Sequence, residues 1–186
     1  MNNSIIGILG TLLGTLLGWI LGRYDKKGKL KIYIISYKNE FLCMDGRGGQ
    51  TISTSVEQTE DYIMKFDFDV YNSSTETKIM RDITVVFNNG KKDIFFNTPL
   101  DDSTRHSNGH WYKYDIIEPI NIPPKSISNF SLHTTLDKKE LDVIWQTKKI
   151  YLTYKGENDK VRKILINEED YSNYFENHNQ EETQNG

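Results

Sequence analysis

The length of 186 residues suits one ordinary domain with short appendages. The mean hydropathy of −0.61 is negative despite a strongly apolar N-terminus, so the remainder has the character of a water-soluble domain. A single cysteine, Cys43, excludes an internal disulfide, and the formal net charge of −3 gives no basic excess for binding nucleic acid.

The first predicted element is an uncharged apolar helix. Residues 4–22 read SIIGILGTLLGTLLGWILG, and at about 1.5 Å per residue they would span about 28 Å, close to the hydrocarbon thickness of a bilayer. Trp19 and Tyr24 lie where aromatic side chains would meet the headgroups. Because no basic region precedes the apolar run and no small-residue cleavage site follows it, we predict a retained transmembrane anchor over residues 1–23, not a cleaved signal.

Four glycines recur at every fourth residue of this helix, namely Gly10, Gly14, Gly18 and Gly22. This spacing keeps them on one slowly rotating face, where two helix backbones can approach closely. We therefore predict a homo-oligomer that forms through the anchor, with the subunit number left open. The alternative is that glycine is simply frequent in membrane helices.

A basic juxtamembrane segment, residues 24–33, follows the anchor. The cations at this boundary are Arg23, Lys26, Lys27, Lys29 and Lys31. Since basic residues beside a span stay on the cytoplasmic side, they predict an N-terminus outside the cell and a cytoplasmic domain. The same charges can contact anionic headgroups, so membrane lipid is the first expected partner, although setting the topology is the simpler role.

Residues 34–166 are predicted to form one β-rich domain, with a first strand that already begins at Leu30. The strongest signal is the stretch 62–70, where apolar and largely polar side chains alternate with the period of a half-buried strand. Asp67 and Asp69 lie on its polar face. We interpret them as surface charges and not as a catalytic carboxylate pair.

Turn signals predict two hairpins. One joins residues 79–87 to 93–97 through an Asn-Gly turn, and the other joins residues 148–155 to 161–166 through a turn that begins at Gly156. The pattern between the hairpins is weaker. There we predict a polar loop at 98–109, a strand at 111–117, a proline-broken stretch at 120–125, a strand at 126–134, and a short helix or irregular crossover at 137–145.

Seven to nine short strands with little helical periodicity favour an all-β fold, an antiparallel immunoglobulin-like β-sandwich. A small β-barrel is the alternative. The Cys–Trp–Cys spacing of true immunoglobulin domains is absent, so the analogy concerns architecture and implies no function. From Asn167 the chain is acidic and rich in amides, and residues 167–186 are therefore predicted to be a disordered tail.

No motif for nucleophilic catalysis, phosphate binding or dinucleotide binding occurs, so we expect no enzyme, no catalytic residue, no metal and no cofactor. His106 and His110 lie four residues apart near Asp101 and Asp102. The intervening Ser-Asn-Gly argues against the helix that such a metal-binding pair needs, and we interpret the stretch as a solvated loop. His133 is expected to face solvent or a neighbouring strand.

The aromatic residues Trp111, Tyr112 and Tyr114 are a possible partner surface, because Trp and Tyr are enriched at interfaces. Ordinary sheet packing is the competing explanation. The function we predict is a membrane-anchored binding or scaffolding module for a protein or small ligand, without nucleic acid. The alternative is a membrane-perturbing effector of the defence or toxin type, whose soluble domain senses a signal or assembles.

Overall fold

A long helix is followed by a β-rich domain in the computed structural model, which describes residues 2–26, 28–107 and 112–176. The non-strand elements are helix α1 (Asn2–Lys26), helix α2 (Leu141–Trp145) and a 3₁₀ turn (Tyr171–Asn173). The strands are β1 Leu30–Met44, β2 Gln50–Ile52, β3 Asp61–Asn72, β4 Lys78–Asn88, β5 Asp93–Asn97, β6 Leu100–Ser107, β7 Tyr112–Ile116, β8 Ile120–Ile122, β9 Ile127–Leu136, β10 Lys149–Lys155 and β11 Val161–Glu168.

The described strands form two antiparallel sheets. The first has six strands in the order β2-β1-β3-β9-β6-β7. The second has five, with the order β11-β10-β4-β5 and with β8 paired to β4. Both sheets end in free edge strands, so the domain is the predicted sandwich and the alternative of a closed β-barrel is wrong.

The core lies between the sheets and is dominated by the central strand β3. Its side chains Tyr62, Met64, Phe66, Phe68 and Val70 are fully buried, which confirms the alternation expected from the sequence. The second sheet contributes to the same core Val85, Phe87, Ile150 and Leu152. Burying one such side chain is worth about 1.5–3 kcal/mol, so this face largely determines the register of the sheet.

Both predicted hairpins are present. Strands β4 and β5 are joined by a turn in which Gly90 has φ of +86°, the left-handed conformation that favours glycine. Strands β10 and β11 pair from Lys149 opposite Glu168 to Lys155 opposite Val161. Helix α2 resolves the open choice at 137–145 in favour of a short helix.

The prediction of a polar loop at 98–109 is wrong for residues 100–107, which form β6. Leu100 and Asp101 pair with His133 and Leu132 of β9, so the neighbouring strand provides the ladder that the polar composition did not suggest. Residues 108–111 lie outside the described part of the chain.

The predicted disordered tail begins too early. Glu168 belongs to β11, and beyond it Tyr171 is buried while Tyr174 and Phe175 pack against the core. The Tyr171 hydroxyl shares a hydrogen bond with the hydroxyl of Tyr37 and accepts one from Asn167 Nδ2 at 3.1 Å. The folded domain therefore extends through residue 176, and residues 177–186 lie outside the described part.

The junction between α1 and β1 is packed against the loop that follows β3. A Cβ on Gly28 would lie 2.3 Å from the backbone nitrogen of Ser74, which is closer than any side chain tolerates. The Lys29 N–H donates to Ser73 Oγ at 2.8 Å, and the Ser73 N–H donates to the Lys29 carbonyl at 3.2 Å. The start of β1 is therefore held by hydrogen bonds to the backbone and the side-chain hydroxyl of Ser73.

Strand β1 has a long open edge. It pairs with β3 along one side, from Leu30 opposite Asn72 to Leu42 opposite Asp61. On the other side its described ladder partner is β2, which reaches only Leu42–Met44. Tyr33 and Ile35 are exposed on this strand.

Candidate functional site

A wide bulge in β6 shapes the outer face of the six-stranded sheet. Asp101 lies opposite Asp115 and His106 opposite Lys113, so β6 advances five residues (101 to 106) where β7 advances two (115 to 113). Thr104 stabilises the bulge, because its Oγ1 donates to the Asp101 carbonyl at 2.8 Å and accepts from the Asp115 N–H at 2.8 Å. Bulges of this kind bend a strand and re-aim its side chains.

The bulged strand brings Asp102 against His133 of β9. His133 is only 5% exposed, and its Nδ1 pairs with an Asp102 carboxylate oxygen. The ring of Tyr114 packs edge-on against the imidazole, with 4.5 Å between centroids. Asp102 also accepts a hydrogen bond from Ser131 Oγ and lies near Lys65 Nζ, both at 3.4 Å.

This polar network continues across the face to β1. Hydrogen bonds from Ser36 and Ser131 hold the pKa of Asp67 below its usual value. Asp69 accepts a hydrogen bond from Asn129 of β9. Both carboxylates thus belong to a hydrogen-bonded outer surface, in agreement with their interpretation as surface charges.

The arrangement of Ser131, Asp102 and His133 is not that of an activated nucleophile. In such a site the base contacts the nucleophile and the carboxylate orients the base. Here Asp102 lies between the two, and in the described part of the chain no hydrogen bond joins Ser131 to His133. The described residues also contain no group of three or more His, Cys, Asp or Glu side chains that could hold a metal ion.

The predicted aromatic surface is only partly assembled. Tyr112 is 61% exposed, and the Arg105 guanidinium lies 3.6 Å from the centroid of its ring. Tyr114 instead packs on His133. Trp111 lies outside the described residues, as does His110 of the histidine pair. His106 Nε2 lies 3.2 Å from Asp115 at an exposed position.

The glycine face of α1 is free of contacts within the chain. A Cβ at Gly10, Gly14, Gly18 or Gly22 would meet no atom within 4 Å. The hydroxyls that border this face bond to their own helix, Thr11 to the Gly7 carbonyl and Thr15 to the Thr11 carbonyl, both at 2.9 Å. Residues Ile6–Tyr24 are long and apolar enough to cross a membrane, and none of this span is buried in the structure.

The basic segment begins at the end of this span. The Arg23 guanidinium lies 4.5 Å from the centroid of the Trp19 ring. The side chains of Lys29 and Lys31 are exposed at the start of β1. Of the other predicted cations, Lys27 and the side chain of Lys26 fall outside the described part.

The Asp102–His133 pair was missed by sequence reasoning. The alternation in 126–134 is a weak signal that places His133 on the polar face of its strand. The approach of Asp102, however, depends on an irregular strand pairing that no local pattern encodes.

Comparisons with known proteins agree with the architecture. The YopI Ig-like domain family matches residues 28–167. A relative described as the SPbeta prophage-derived uncharacterized protein YopI of Bacillus subtilis (strain 168) is 27% identical over 142 residues, which cover 76% of this chain and 80% of the relative.

Two solved structures are similar at low identity. A protein from Archaeoglobus fulgidus has a TM-score of 0.39 and 11% identity, covering 72% of this chain and 92% of that one. A β-sandwich protein from Clostridium difficile 630 has a TM-score of 0.34 and 12% identity, and the match covers 76% of this chain and 91% of that one. The family match covers most of the chain and confirms the immunoglobulin-like sandwich, and the protein therefore belongs to the YopI Ig-like domain family.

Proposed function

We propose that the protein is a single-pass membrane-anchored binding or scaffolding module, with its N-terminus outside the cell and its sandwich in the cytoplasm. The observation that carries this proposal is the unburied apolar span Ile6–Tyr24, which leads through the packed Gly28–Lys29 junction into the domain. Leu12 and Leu13 are 62% and 58% exposed, and leaving a large apolar side chain in water costs about 1.5–3 kcal/mol relative to burying it. Lipid is the solvent that removes this cost.

Membrane integration is tested by fractionation. The full-length chain should remain in the membrane pellet after alkaline carbonate and be released by neutral detergent. Recovery of the intact chain in the aqueous fraction without detergent would overturn the anchor.

Orientation is tested with a membrane-impermeant maleimide, since Cys43 is the single thiol of the chain. Cys43 should react only after the cells are permeabilised. In the double variant Asn3→Cys, Cys43→Ser, the new thiol should react in intact cells. The reverse labelling pattern would place the domain outside.

The partner surface we propose is the outer edge at β7, where exposed Tyr112 stacks with Arg105. Aromatic and Arg side chains supply much of the binding energy at protein interfaces. A photo-crosslinking amino acid at position 112 should form a protein adduct in cells, whereas the same group at Tyr33, exposed on β1, should not. Adducts formed equally from both positions would contradict this surface.

The free glycine face also supports a second function, in which packed anchors perturb the bilayer. In that case induced expression would depolarise the cells. The substitutions Gly14→Leu and Gly18→Leu would prevent depolarisation, whereas a binding module would leave the membrane potential unchanged from the start.

A further inference from the structure

A cleft of about 660 Å³ opens at the end of the sandwich that adjoins the anchor. Gly28 and Lys29 form one wall, and the turn between β10 and β11 forms another. Its apolar lining comes from Leu30, Ile79 and Ile164. The cleft therefore lies between the two sheets at the point where the chain leaves α1.

Positive charge predominates in this cleft, because its lining holds five basic side chains and two carboxylates, those of Glu76 and Glu157. Two of its five basic side chains are neutralised, since Lys78 Nζ lies 2.7 Å from a carboxylate oxygen of Glu157 and Lys163 Nζ lies 2.5 Å from Asp93. The other three are Lys29, Lys160 and Arg162. Among the described residues, no carboxylate lies within salt-bridge distance of these three, so their charge is available to an anion.

A tyrosine side chain accompanies the three cations. Tyr154 of β10 lines the cleft and is only 5% exposed. No described protein group hydrogen-bonds its hydroxyl, and the oxygen itself is not fully buried, so it is open to the cleft. A phosphate oxygen would provide an acceptor for this donor, and its charge would be balanced by Lys160 and Arg162.

The position of the cleft next to the anchor favours a phosphate group that belongs to the membrane. Gly28 follows Tyr24, the last residue of the span, by four positions, and a chain of four residue steps reaches at most about 14 Å. The headgroup layer on each side of the hydrocarbon is roughly 5–8 Å thick. Val161, between Lys160 and Arg162, is 63% exposed, as suits contact with the edge of a bilayer.

We propose that this cleft is a phosphate-binding site whose ligand is the headgroup of an anionic phospholipid in the membrane that holds the anchor. This inference rests on the proposed membrane anchoring, and the source of the phosphate is either the lipid or free phosphate in the cytosol. Binding would draw the domain against the bilayer with the β10–β11 turn facing the lipid.

The test uses the full-length protein in neutral detergent and native mass spectrometry, which counts retained ligands. The probes are phosphatidylglycerol, phosphatidylcholine and inorganic phosphate. The variant Lys160→Gln, Arg162→Gln removes two of the three cleft cations that have no carboxylate partner among the described residues. The matched control Lys91→Gln, Lys92→Gln removes two cations from the β4–β5 turn, outside the cleft lining.

We expect the native chain to retain one phosphatidylglycerol with a preference of roughly tenfold or more over phosphatidylcholine. The cleft variant should lose this preference and the control should keep it, since both retain the cations that flank the anchor. Retention of inorganic phosphate with the same dependence on the variant, and no lipid preference, would assign the site to free phosphate and overturn the lipid source.

Equal lipid retention by the cleft variant and the control would overturn the site. Lys160 and Arg162 are exposed, so thermal unfolding should be unchanged and should verify that the variant is folded. Carbonate extraction separates the two proposals. A chain that stays in the membrane but shows no preference refutes only the cleft, whereas a chain found in the aqueous fraction refutes the anchor.

Discussion

At the scale of single residues, the most constrained polar group on the outer sheet face is His133. Its ring is covered by Tyr114 and its Nδ1 depends on the Asp102 carboxylate. A buried donor or acceptor that loses its partner pays the full desolvation cost, whereas an exposed one turns to water. The chain offers a direct comparison, because His106 and Asp115 form a similar pair at an exposed position.

Replacing Asp102 by Ala should therefore lower the free energy of unfolding by about 1–3 kcal/mol. The matched substitution Asp115→Ala should cost well under about 1 kcal/mol, as is usual for exposed ion pairs. Urea unfolding of the full-length chain in neutral detergent measures both. Equal losses of unfolding free energy in the two variants would show that the burial of His133 does not increase the cost of removing its carboxylate partner.

A second group of constrained residues is the tyrosine cluster beneath the C-terminal segment. Burial raises the pKa of Tyr37 to about 12, and burial also raises the pKa values of Tyr62 and Tyr171. An unfolded tyrosine ionises near pH 10. Folding thus favours the neutral hydroxyls, so their stabilisation is complete below about pH 10 and is lost as the pH rises from there towards 12.

We predict a steep fall in the free energy of unfolding between pH 10 and pH 12. Tyr37→Phe should make the fall shallower by up to about 1.4 kcal/mol per pH unit, the contribution of one ionising group. Tyr33→Phe, at an exposed position on the same strand, is the control that removes a hydroxyl outside the cluster. Urea unfolding at several alkaline pH values measures the slopes, and identical slopes in all three proteins would contradict the cluster's role.

At the scale of elements, the segment after β11 completes the core. Tyr171 is buried, and the rings of Tyr174 and Phe175 lie 4.6 Å and 5.4 Å from the ring of Phe41, centroid to centroid. Such aromatic pairs add about 0.5–1.5 kcal/mol each beyond the area they bury. The acidic residues that suggested disorder share this segment with aromatic residues. The aromatic rings, and not the acidic side chains, pack against the core.

A chain that ends after Glu169 keeps all of β11 but loses these rings, and it should be less stable by about 3 kcal/mol or more. A chain that ends after Glu176 retains every described contact and should match the full-length protein. Thermal unfolding followed by circular dichroism distinguishes them. If both truncated chains unfold at the native temperature, the segment is dispensable.

The junction between α1 and β1 allows a second prediction at this scale. Gly28→Ala places a Cβ against the backbone of Ser74, which has no flexible end to move aside, so a loss of about 1–3 kcal/mol is expected. Gly46→Ala is the control, because a Cβ there would meet nothing within 4 Å. Urea unfolding should show a lower free energy of unfolding for Gly28→Ala than for Gly46→Ala. An unchanged free energy of unfolding in Gly28→Ala would show that the junction is not tightly packed.

Elements whose sequence pattern reflects contacts between near neighbours could be predicted, whereas elements stabilised by distant parts of the chain could not. The alternation of β3 and the Asn-Gly turn before β5 act between near neighbours, and the structure has both where expected. The β6 strand and its bulge are stabilised by β7 and β9. Because these contacts are non-local, composition alone suggested a loop and concealed the Asp102–His133 pair.

At the scale of the whole molecule, we assign different roles to the domain and to the anchor. In the proposed function the sandwich would present the binding surfaces, and the glycine face, which is free of contacts within the chain, would let neighbouring anchors pack. Linking several domains in this way raises the effective concentration of each for a partner with several sites. Under this proposal, function would depend on the oligomer as well as on the fold.

Substituting Gly14→Leu and Gly18→Leu should convert the oligomer in neutral detergent to monomers, because two leucines hold the helix backbones apart. Adding bulk with Leu12→Phe and Leu16→Phe, on the opposite face of the helix, should leave the oligomer intact. Mass measurement by light scattering reports both. A native chain that is already monomeric would refute association through the anchor.

The proposed anchor also affects how the open edge of β1 can pair with other strands. Two identical edges join most readily as an antiparallel ladder, which requires the strands to run in opposite directions. Under the proposed anchoring, β1 would start beside the bilayer in every copy, so neighbouring copies would present their β1 strands in the same direction and not antiparallel. Under the proposed anchoring, this common direction would disfavour antiparallel pairing between the β1 edges of neighbouring copies at high surface density.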